Sequence, residues 1–204
     1  MNREEFFALI SDRPHAEMEQ IRWAYWLAKN AHRPFCRDDG ERFFEHPRAV
    51  AVSLIEHGYS GTDAIIKGLT HDVIEDTNTP HGVIIALFGP EMLRSLEVLS
   101  RYRSTFDAAG QLVQPQHKKP AGEYFGDLLM ASDEDKIVKC ADRLHNLQTC
   151  SCWEKARRVR YVRETDEHVI PLAESVSANP YAAELKVLVA DLKSEMGITT
   201  QAPR

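Results

Sequence analysis

Hydrophobic residues recur at steps of three and four along most of this chain. Between Pro14 and His32 the series is Ile21, Ala24, Tyr25, Ala28 and Ala31. Such spacing puts apolar side chains on one face of a helix, so a helix is predicted there. No segment of convincing length alternates apolar and polar residues as a half-buried strand does. The sequence therefore predicts an all-α fold.

Residues that begin or end helices extend this prediction. Pro47 is tolerated in a first helical turn, and Gly58 is a suitable C-terminal stop for the helix that contains it. Thr62 is a good N-cap for a helix that we predict to run to Ile74. The same reasoning predicts further helices at 81–88, 91–101, 121–131, 133–149, 153–168, 170–178 and 180–196.

The polar stretch from Ser104 to Pro120, which contains Gly110 and Pro115, interrupts the helical pattern. We predict an exposed, mobile loop there, close to the functional site. The tail at 199–204 is predicted to fray. No repeat or linker divides the chain, and its 204 residues suit one domain. We therefore predict a single domain over 1–204, with a core at about 14–196.

The charge balance narrows the range of partners. The formal net charge is −6, whereas proteins that bind nucleic acid usually present a basic face. A small anionic substrate agrees with this charge, because a metal ion and a few arginines override the global sign locally. No apolar run approaches the ~18–20 residues of a membrane helix, and the acidic N-terminal residues do not form a secretory signal. We expect a cytoplasmic protein that binds neither nucleic acid nor membrane, and the sequence leaves homo-oligomers open.

The chain has four cysteines, which a cytoplasmic protein is expected to keep reduced. Cys150 and Cys152 form a CxC pair that has two interpretations. They are either ligands of a zinc ion or plain structural thiols. Because no second pair lies nearby, the sequence favours structural thiols.

The adjacent residues His71 and Asp72 are the first candidates for a functional site. Glu75 lies four residues after His71, and Asp76 lies four after Asp72. One helix face is therefore predicted to present an imidazole and three carboxylates. Three anions together repel one another, and a bound cation would remove that conflict. A solvated helix face is the alternative interpretation of this segment alone.

Two further segments place polar residues where a site would need them. Asp142 and Asn146 lie one helical turn apart, beside an apolar face. Between them, Arg143 is interpreted as an internal ion-pair partner rather than a substrate ligand, and His145 as a structural hydrogen-bonding residue. His46 directly precedes a proline, which biases its backbone away from the α region. We therefore predict that His46 lies at a helix entrance and points into a cleft.

Three segments, taken in order, resemble the HD hydrolase domain of the RelA/SpoT group, which includes small stand-alone alarmone hydrolases. The matching segments are Gly40–Pro47 (GERFFEHP), His71–Thr77 (HDVIEDT) and Lys139–Leu147 (KCADRLHNL). The resemblance spans roughly residues 14–190, which is nearly the whole chain. It implies an HD-domain, PDEase-like multi-helix bundle with a central metal site.

The resemblance also implies a metal-dependent phosphohydrolase, with manganese as the usual ion and another divalent metal as the alternative. The implied metal ligands are His46, His71, Asp72 and Asp142. The implied catalytic residues, beside the attacked phosphate, are Glu75 and Asp76. The implied substrate-binding residues are Arg37, which would stack on the base, and the nucleoside-pocket residues Asn146 and Thr149. Two imidazoles and two carboxylates leave positions on a six-coordinate manganese ion for water and a phosphoryl oxygen.

The chain departs from the family pattern at two basic positions. Asp38 stands where the family often has a basic residue, and Gln148 stands where it often has arginine. Two groups of cations would compensate for these missing positive charges if they reached the pocket; the alternative is that they are solvated surface charges. The groups are Arg157, Arg158, Arg160 and Arg163, and the loop residues Lys118 and Lys119. The departures bear on the guanine alarmone substrate rather than on the metal chemistry.

The predicted function is hydrolysis of a nucleotide phosphate, and removal of the 3′-pyrophosphate of (p)ppGpp is the favoured reaction. Adenine alarmones, a dinucleotide cofactor phosphate and simple nucleoside phosphates are the alternative substrates. The alternative to an enzyme is a non-catalytic nucleotide-binding regulatory module. The presence of both Glu75 and Asp76 favours the enzyme, because a binding module does not need them.

Overall fold

The computed structural model describes residues 1–104 and 116–198, and its regular structure is almost entirely helical. The α-helices are α1 (Arg3–Ala8), α2 (His15–Ala31), α3 (Glu45–Glu56), α4 (Thr62–Thr70), α5 (Val73–Asp76), α6 (His81–Phe88), α7 (Pro90–Leu99), α8 (Ala121–Met130), α9 (Asp133–Gln148), α10 (Lys155–Glu164), α11 (Ile170–Glu174) and α12 (Pro180–Met196). A 3₁₀ turn at Cys150–Cys152 follows α9, and a π-helical turn at Thr165–Val169 joins α10 to α11. The all-α prediction is confirmed.

A short hairpin is the main departure from helix in the described chain. Its strands, β1 (Tyr102–Arg103) and β2 (His117–Lys118), pair antiparallel. Two-residue strands are too short to show alternation, so the sequence did not predict them. The ends of the predicted loop at 104–120 thus lie beside paired backbone, whereas residues 105–115 and the tail at 199–204 lie outside the described residues.

Helix α1 was not predicted, although its N-terminus carries a capping box. The Asn2 side chain accepts a hydrogen bond from the Glu5 backbone N–H at 3.0 Å. In return, the Asn2 backbone N–H donates to the Glu5 carboxylate at 2.7 Å. This reciprocal pair satisfies two backbone donors that a helix N-terminus otherwise leaves free. The box lets a six-residue helix pack Phe6 into the core.

Helices α3 and α4 pack closely because α4 contains Gly68. A Cβ atom at that position would lie 2.8 Å from Leu54 Cδ1 and 3.1 Å from Ala51 Cα, both on α3. A Cβ atom would force Leu54 to shift and would press on the Ala51 backbone, so glycine favours this close approach of the two helices. The close contact brings the start of α3 and the end of α4 together, and both carry candidate site residues.

The predicted continuous helix from Thr62 to Ile74 is wrong, because α4 ends at Thr70 and α5 begins at Val73. The His71 imidazole Nδ1 bonds to the Gly68 carbonyl at 2.9 Å. That carbonyl would accept the Asp72 N–H in an uninterrupted helix, so the side chain competes with the backbone. Thr62 is not the N-cap either; Gly61 has that position.

Helix α9 lies at the centre of the fold and packs against α3, α4 and α12. Its buried apolar residues are Ile137, Val138, Cys140, Ala141, Leu144 and Leu147. Next to this apolar face, α9 carries the polar side chain of Asp142, which contacts His46 at the start of α3 and His71 at the end of α4. None of the helices within 1–104 and 116–198 combines the length and the apolar character that crossing a bilayer requires. The extent of the single domain stays a prediction.

Candidate metal centre and pocket

Three buried side chains from different elements converge at the ends of α3, α4 and α9. His46, His71 and Asp142 each offer one ligand atom, and these atoms all lie within 4.8 Å of one another. The Nε2 atom of His46 is 3.1 Å from Asp142 Oδ1 and 3.3 Å from His71 Nε2. The site therefore assembles residues that are far apart in sequence, as the resemblance implies.

Asp72 completes the group from the turn between α4 and α5. Its Oδ2 atom lies 3.1 Å from His71 Nε2 and 3.5 Å from His46 Nε2. We call His46, His71, Asp72 and Asp142 the cage. His46 was predicted to lie at a helix entrance and to point into a cleft; it lies in the first turn of α3, which begins at Glu45, and it lines the pocket.

Hydrogen bonds on the outer side of both imidazoles orient them. His71 Nδ1 donates to the Gly68 carbonyl, which leaves a lone pair on Nε2 in the neutral ring. His46 Nδ1 lies 2.8 Å from His145 Nδ1. Burial and then the neighbouring His46 lower the pKa of His145 to about 4, so its neutral ring can accept the His46 proton. Both Nε2 lone pairs therefore face inward, and His145 has the structural role that the sequence favoured.

The cage attracts positive charge. Burial opposes ionisation of Asp142, but the Lys139 ammonium, 2.7 Å from Oδ2, and the two histidines hold its pKa well below the ordinary value. Burial likewise lowers the pKa of His71, yet Asp72 and Asp142 raise it well above the ordinary value. Two imidazole nitrogens and two carboxylates that together favour a cation fit a divalent metal.

Glu75 and Asp76 lie beside the cage and line the same pocket. Glu75 Oε2 accepts hydrogen bonds from the Arg101 backbone N–H at 2.6 Å and from Ser100 Oγ at 3.0 Å. Burial and then Asp72 raise the pKa of Glu75. Partial loss of hydration, followed by the negative charges of Asp72 and Glu75, raises the pKa of Asp76 to about 8, although its side chain still reaches solvent at the pocket. The break at His71 means that these groups share a pocket rather than one helix face.

An ion-pair network lies behind Glu75. Arg143 is 2% exposed, and its Nη2 atom lies 2.8 Å from Glu164 Oε1. Arg101 binds both Glu164 oxygens, at 2.7 and 2.6 Å. Burial raises the pKa of Glu164, but Arg101 and Arg143 together lower it to about 2. Arg143 is thus an internal ion-pair partner, as the sequence favoured, and the network fixes the segment that holds Glu75.

The pocket above the cage has a volume of about 380 Å³. Its lining residues are Cys36, Arg37, Asp38, Phe43, His46, Asp72, Glu75, Asp76, Asn146, Trp153, Arg157 and Tyr161. This size lies within the range of small-molecule sites, and carboxylates and aromatic rings dominate the lining.

The three predicted substrate-binding residues contact one another, and two of them, Arg37 and Asn146, line this pocket. Arg37 Nη2 donates to Asn146 Oδ1 at 2.8 Å and to Thr149 Oγ1 at 3.2 Å. Asn146 Nδ2 also donates to Asp142 Oδ1 at 2.6 Å, which connects this group to the cage. The structure brings Arg37 close to the ring of Phe43, 6.0 Å from its centroid.

Asp38, the acidic departure from the family pattern, pairs with Arg157. Its Oδ2 lies 2.7 Å from Arg157 Nη1, and both side chains are about half exposed. The Arg157 guanidinium also lies over the Trp153 ring, 3.9 Å from its centroid. We call Arg37, Asp38, Asn146, Thr149 and Arg157 the rim.

The other proposed compensating cations do not line this pocket. Arg158 pairs with Glu195 at 2.9 Å. Lys119 is buried, which contradicts a solvated surface charge, and its ammonium donates to the Glu97 carbonyl at 2.8 Å. Arg160, Arg163 and Lys118 are exposed, as the surface interpretation expects. Of the two groups, Arg157 is therefore the member that reaches the pocket.

Sequence reasoning missed several residues that hold the site in place. The role of Lys139 could have been predicted, because it lies three residues before Asp142 and side chains at that spacing meet on a helix surface. Ser100 and Arg101 gave no local signal, since they reach Glu75 only through the tertiary fold. The cysteines are all free, and within the described residues they join no cluster of three or more potential metal ligands.

Comparison with known proteins identifies the family. The profile of the HD domain matches residues 24–176. The chain belongs to the HD domain family. This assignment accounts for a bundle in which histidines and aspartates from several helices meet at one centre.

Curated relatives of this HD-domain chain include much longer proteins. The bifunctional (p)ppGpp synthase/hydrolase SpoT of Escherichia coli K12 is 32% identical over 178 residues, which are 86% of this chain and 24% of SpoT. A guanosine-3′,5′-bis(diphosphate) 3′-pyrophosphohydrolase of Aquifex aeolicus is 32% identical over 83% of this chain and 23% of its own length. The chain therefore spans about a quarter of the length of these relatives.

A solved structure shows the same fold. It belongs to a metazoan ortholog of SpoT that is described as hydrolysing ppGpp. The TM-score is 0.67 at 21% identity, over 92% of this chain and 99% of the other. At this identity the match confirms the HD-domain bundle.

Proposed function

We propose that this HD-domain chain is a manganese-dependent phosphohydrolase that removes the 3′-pyrophosphate from (p)ppGpp. One observation carries the proposal: the cage converges beside Glu75 and Asp76 at the bottom of a pocket whose rim presents Arg37. The relatives named for (p)ppGpp hydrolysis support the substrate. The reaction consumes one water and releases pyrophosphate and a guanosine 5′-polyphosphate with a free 3′-hydroxyl.

The cage residues His46, His71, Asp72 and Asp142 would hold the divalent ion. When bound, the ion supplies positive charge to the phosphoryl oxygens and lowers the pKa of water. Lys139 and His145 keep the cage side chains oriented, through Asp142 and His46 respectively. The choice of manganese rests on the family resemblance and on a mixed nitrogen and oxygen donor set.

Glu75 is the proposed general base. Its Oε2 atom is fixed by Ser100 and Arg101, whereas its Oε1 atom makes no hydrogen bond to any of the described residues. That oxygen is available to take a proton from the attacking water. Asp76 faces the same space and would orient the water or the leaving group.

The rim would position the nucleoside. Arg37 is directed by Asn146 and Thr149, and its planar guanidinium suits stacking on a base. Residues of both the cage and the rim line one pocket, so a nucleotide would place its phosphates at the cage while its base lies at the rim. A nucleotide substrate also supports the cytoplasmic location, while the oligomeric state and the lack of nucleic-acid binding stay predictions.

Product analysis tests the proposal. The chain is stripped with a chelator, loaded with manganese, magnesium or zinc, and incubated with ppGpp, pppGpp, adenine alarmones and simple nucleotides. We expect manganese-dependent release of pyrophosphate from ppGpp, with guanosine 5′-diphosphate as the second product by mass. Hydrolysis of another nucleotide but not of ppGpp would keep the enzyme class and reject the substrate. Tight nucleotide binding without turnover for any metal would reject the enzyme.

A further inference from the structure

A second cavity lies on the other side of α3's N-terminus, and its volume of about 860 Å³ exceeds that of the pocket. The N-terminal residues, the outer face of α2, the turn after α2 and the start of α3 line it. We call it the basic groove. It shares Cys36 with the pocket, and its lining residue Glu45 directly precedes His46 of the cage.

The basic groove concentrates positive charge. Its cationic lining residues are Arg3, Lys29, Arg33, Arg42 and Arg48. Glu45 is the acidic lining residue, and it pairs with Arg48. The other four cations form no salt bridge with the residues that the structure describes. Because the chain as a whole carries a net charge of −6, this local excess opposes the overall balance. These four cations, which have no carboxylate partner among the described residues, repel one another across one concave surface, and an anion would relieve that repulsion.

Exposed aromatic rings accompany these cations. Trp26 is 39% exposed and Phe35 is 41% exposed. The Arg3 guanidinium and the Lys29 ammonium each lie 5.3 Å from the centroid of the Trp26 ring. Cations bind phosphates, and exposed rings stack on planar bases, so the two together suit a phosphorylated aromatic ligand.

We propose that the basic groove is a second ligand site that binds a nucleoside polyphosphate. Its volume falls within the ~300–1,000 Å³ of small-ligand sites. It contains none of the proposed metal ligands, so the ligand binds there without being hydrolysed. The inference does not depend on the reaction proposed for the cage, since charge, shape and rings alone carry it.

Charge reversal tests this site. GTP, which lacks a 3′-phosphate, is titrated by calorimetry into the full chain without added metal. Arg3→Glu/Arg33→Glu should weaken GTP binding by at least about tenfold, as expected from the loss of charge-assisted hydrogen bonds. Arg160→Glu/Arg163→Glu is the matched control, because both arginines are exposed and line neither cavity. This control should leave GTP affinity unchanged.

A second variant separates the rings from the charges. Phe35→Ser removes an exposed ring without changing charge, and it should weaken GTP binding while leaving inorganic pyrophosphate binding unchanged. Unaltered GTP affinity in the charge-reversed variant would overturn the proposal, as would an equal loss of affinity in the Arg160→Glu/Arg163→Glu control. Pyrophosphate binding as tightly as GTP would overturn the nucleoside assignment. Tighter binding of a single-stranded RNA with the same sensitivity would show a nucleic-acid surface instead.

Discussion

The cage and the rim belong to one pocket but are held in different ways. As whole residues, His46, His71 and Asp142 are at most 4% exposed, and each is fixed by a partner outside the cage. At the rim, Asp38 and Arg157 are about half exposed and pair only at the surface. The metal end is therefore part of the core, whereas the Asp38–Arg157 pair of the nucleoside end lies on the surface.

This difference has an energetic consequence. Removing one partner of a buried ion pair leaves an uncompensated charge and costs about 3–5 kcal/mol. Breaking an exposed pair costs roughly 0–1 kcal/mol. The cage thus tolerates little change, while the Asp38–Arg157 pair can be changed at small cost to stability. The departure at Asp38 belongs to this exposed pair, where a substitution changes stability little. Such a position can therefore alter substrate specificity while the metal cage and the reaction class stay the same.

The largest expected effect follows from a change in the cage. His71→Ala removes a ligand from the buried centre, so the chain should lose manganese and show no turnover above the buffer blank. The wild type should melt at a higher temperature with manganese than without it, because a bound ion stabilises the native state. The variant should lose this difference. Elemental analysis, turnover and thermal melting are the measurements.

His57→Ala is the matched control for that change. His57 pairs with Glu184 away from the pocket, at 2.7 Å, and should keep both metal and turnover. If His71→Ala retains a full equivalent of manganese, the proposed ligand set is wrong.

The next effect separates catalysis from metal binding. Glu75→Gln keeps the shape of the side chain but removes the base, so kcat should fall by about 10²–10⁴-fold. Metal content should stay at the wild-type level. Ser100→Ala removes one of the two bonds that fix Glu75, and it should lower kcat less and with little change in KM. Loss of metal from Glu75→Gln would show that Glu75 is a ligand.

A smaller effect is expected at the rim. Arg37→Ala should raise KM for ppGpp by roughly tenfold to a hundredfold, since stacking on a base is worth ~1–3 kcal/mol. Hydrolysis of p-nitrophenyl phosphate, which has no nucleobase, should change little. Arg160→Ala is the control, because that arginine is exposed outside the pocket. Equal losses on both substrates would show that Arg37 is structural.

The sequence predicted the long helices correctly, but it did not predict the break between α4 and α5. The helix at His15–Ala31 and the central helix at Asp133–Gln148 followed from apolar periodicity, because each buries one face in the core. The break at His71 did not follow, since it arises when the imidazole takes the Gly68 carbonyl. Such competition between a side chain and the backbone leaves no periodic signal.

The site could be predicted where residues act within a motif, and not where they act through the fold. Arg37, Asn146 and Thr149 were named from the resemblance, and the structure places them in contact. Ser100 reaches Glu75 across 25 residues, so no spacing rule could find it. Lys119, taken for a surface charge, is buried because the hairpin folds it against α7.

The smallest expected effect concerns the surface pair at the rim. Asp38→Asn keeps the size of the side chain but frees Arg157 from its carboxylate partner. Exposed pairs are worth ~0.2–1 kcal/mol, so KM for ppGpp should fall by no more than about fivefold, and kcat should change little. This decrease in KM should be smaller at high salt, because exposed charges are screened there. Steady-state kinetics at two ionic strengths measure both effects.

Asp39→Asn supplies the control for this last change, because it removes the same charge one residue away and outside the pocket lining. Asp39 accepts the Glu41 N–H, and an asparagine oxygen can still do so. An equal fall in KM for the two variants would show a general change in charge rather than release of Arg157. Adding Arg157→Gln to Asp38→Asn should abolish the gain, since the freed cation is then absent. A gain that survives Arg157→Gln would mean that Asp38 acts on the substrate directly, by repelling its phosphates.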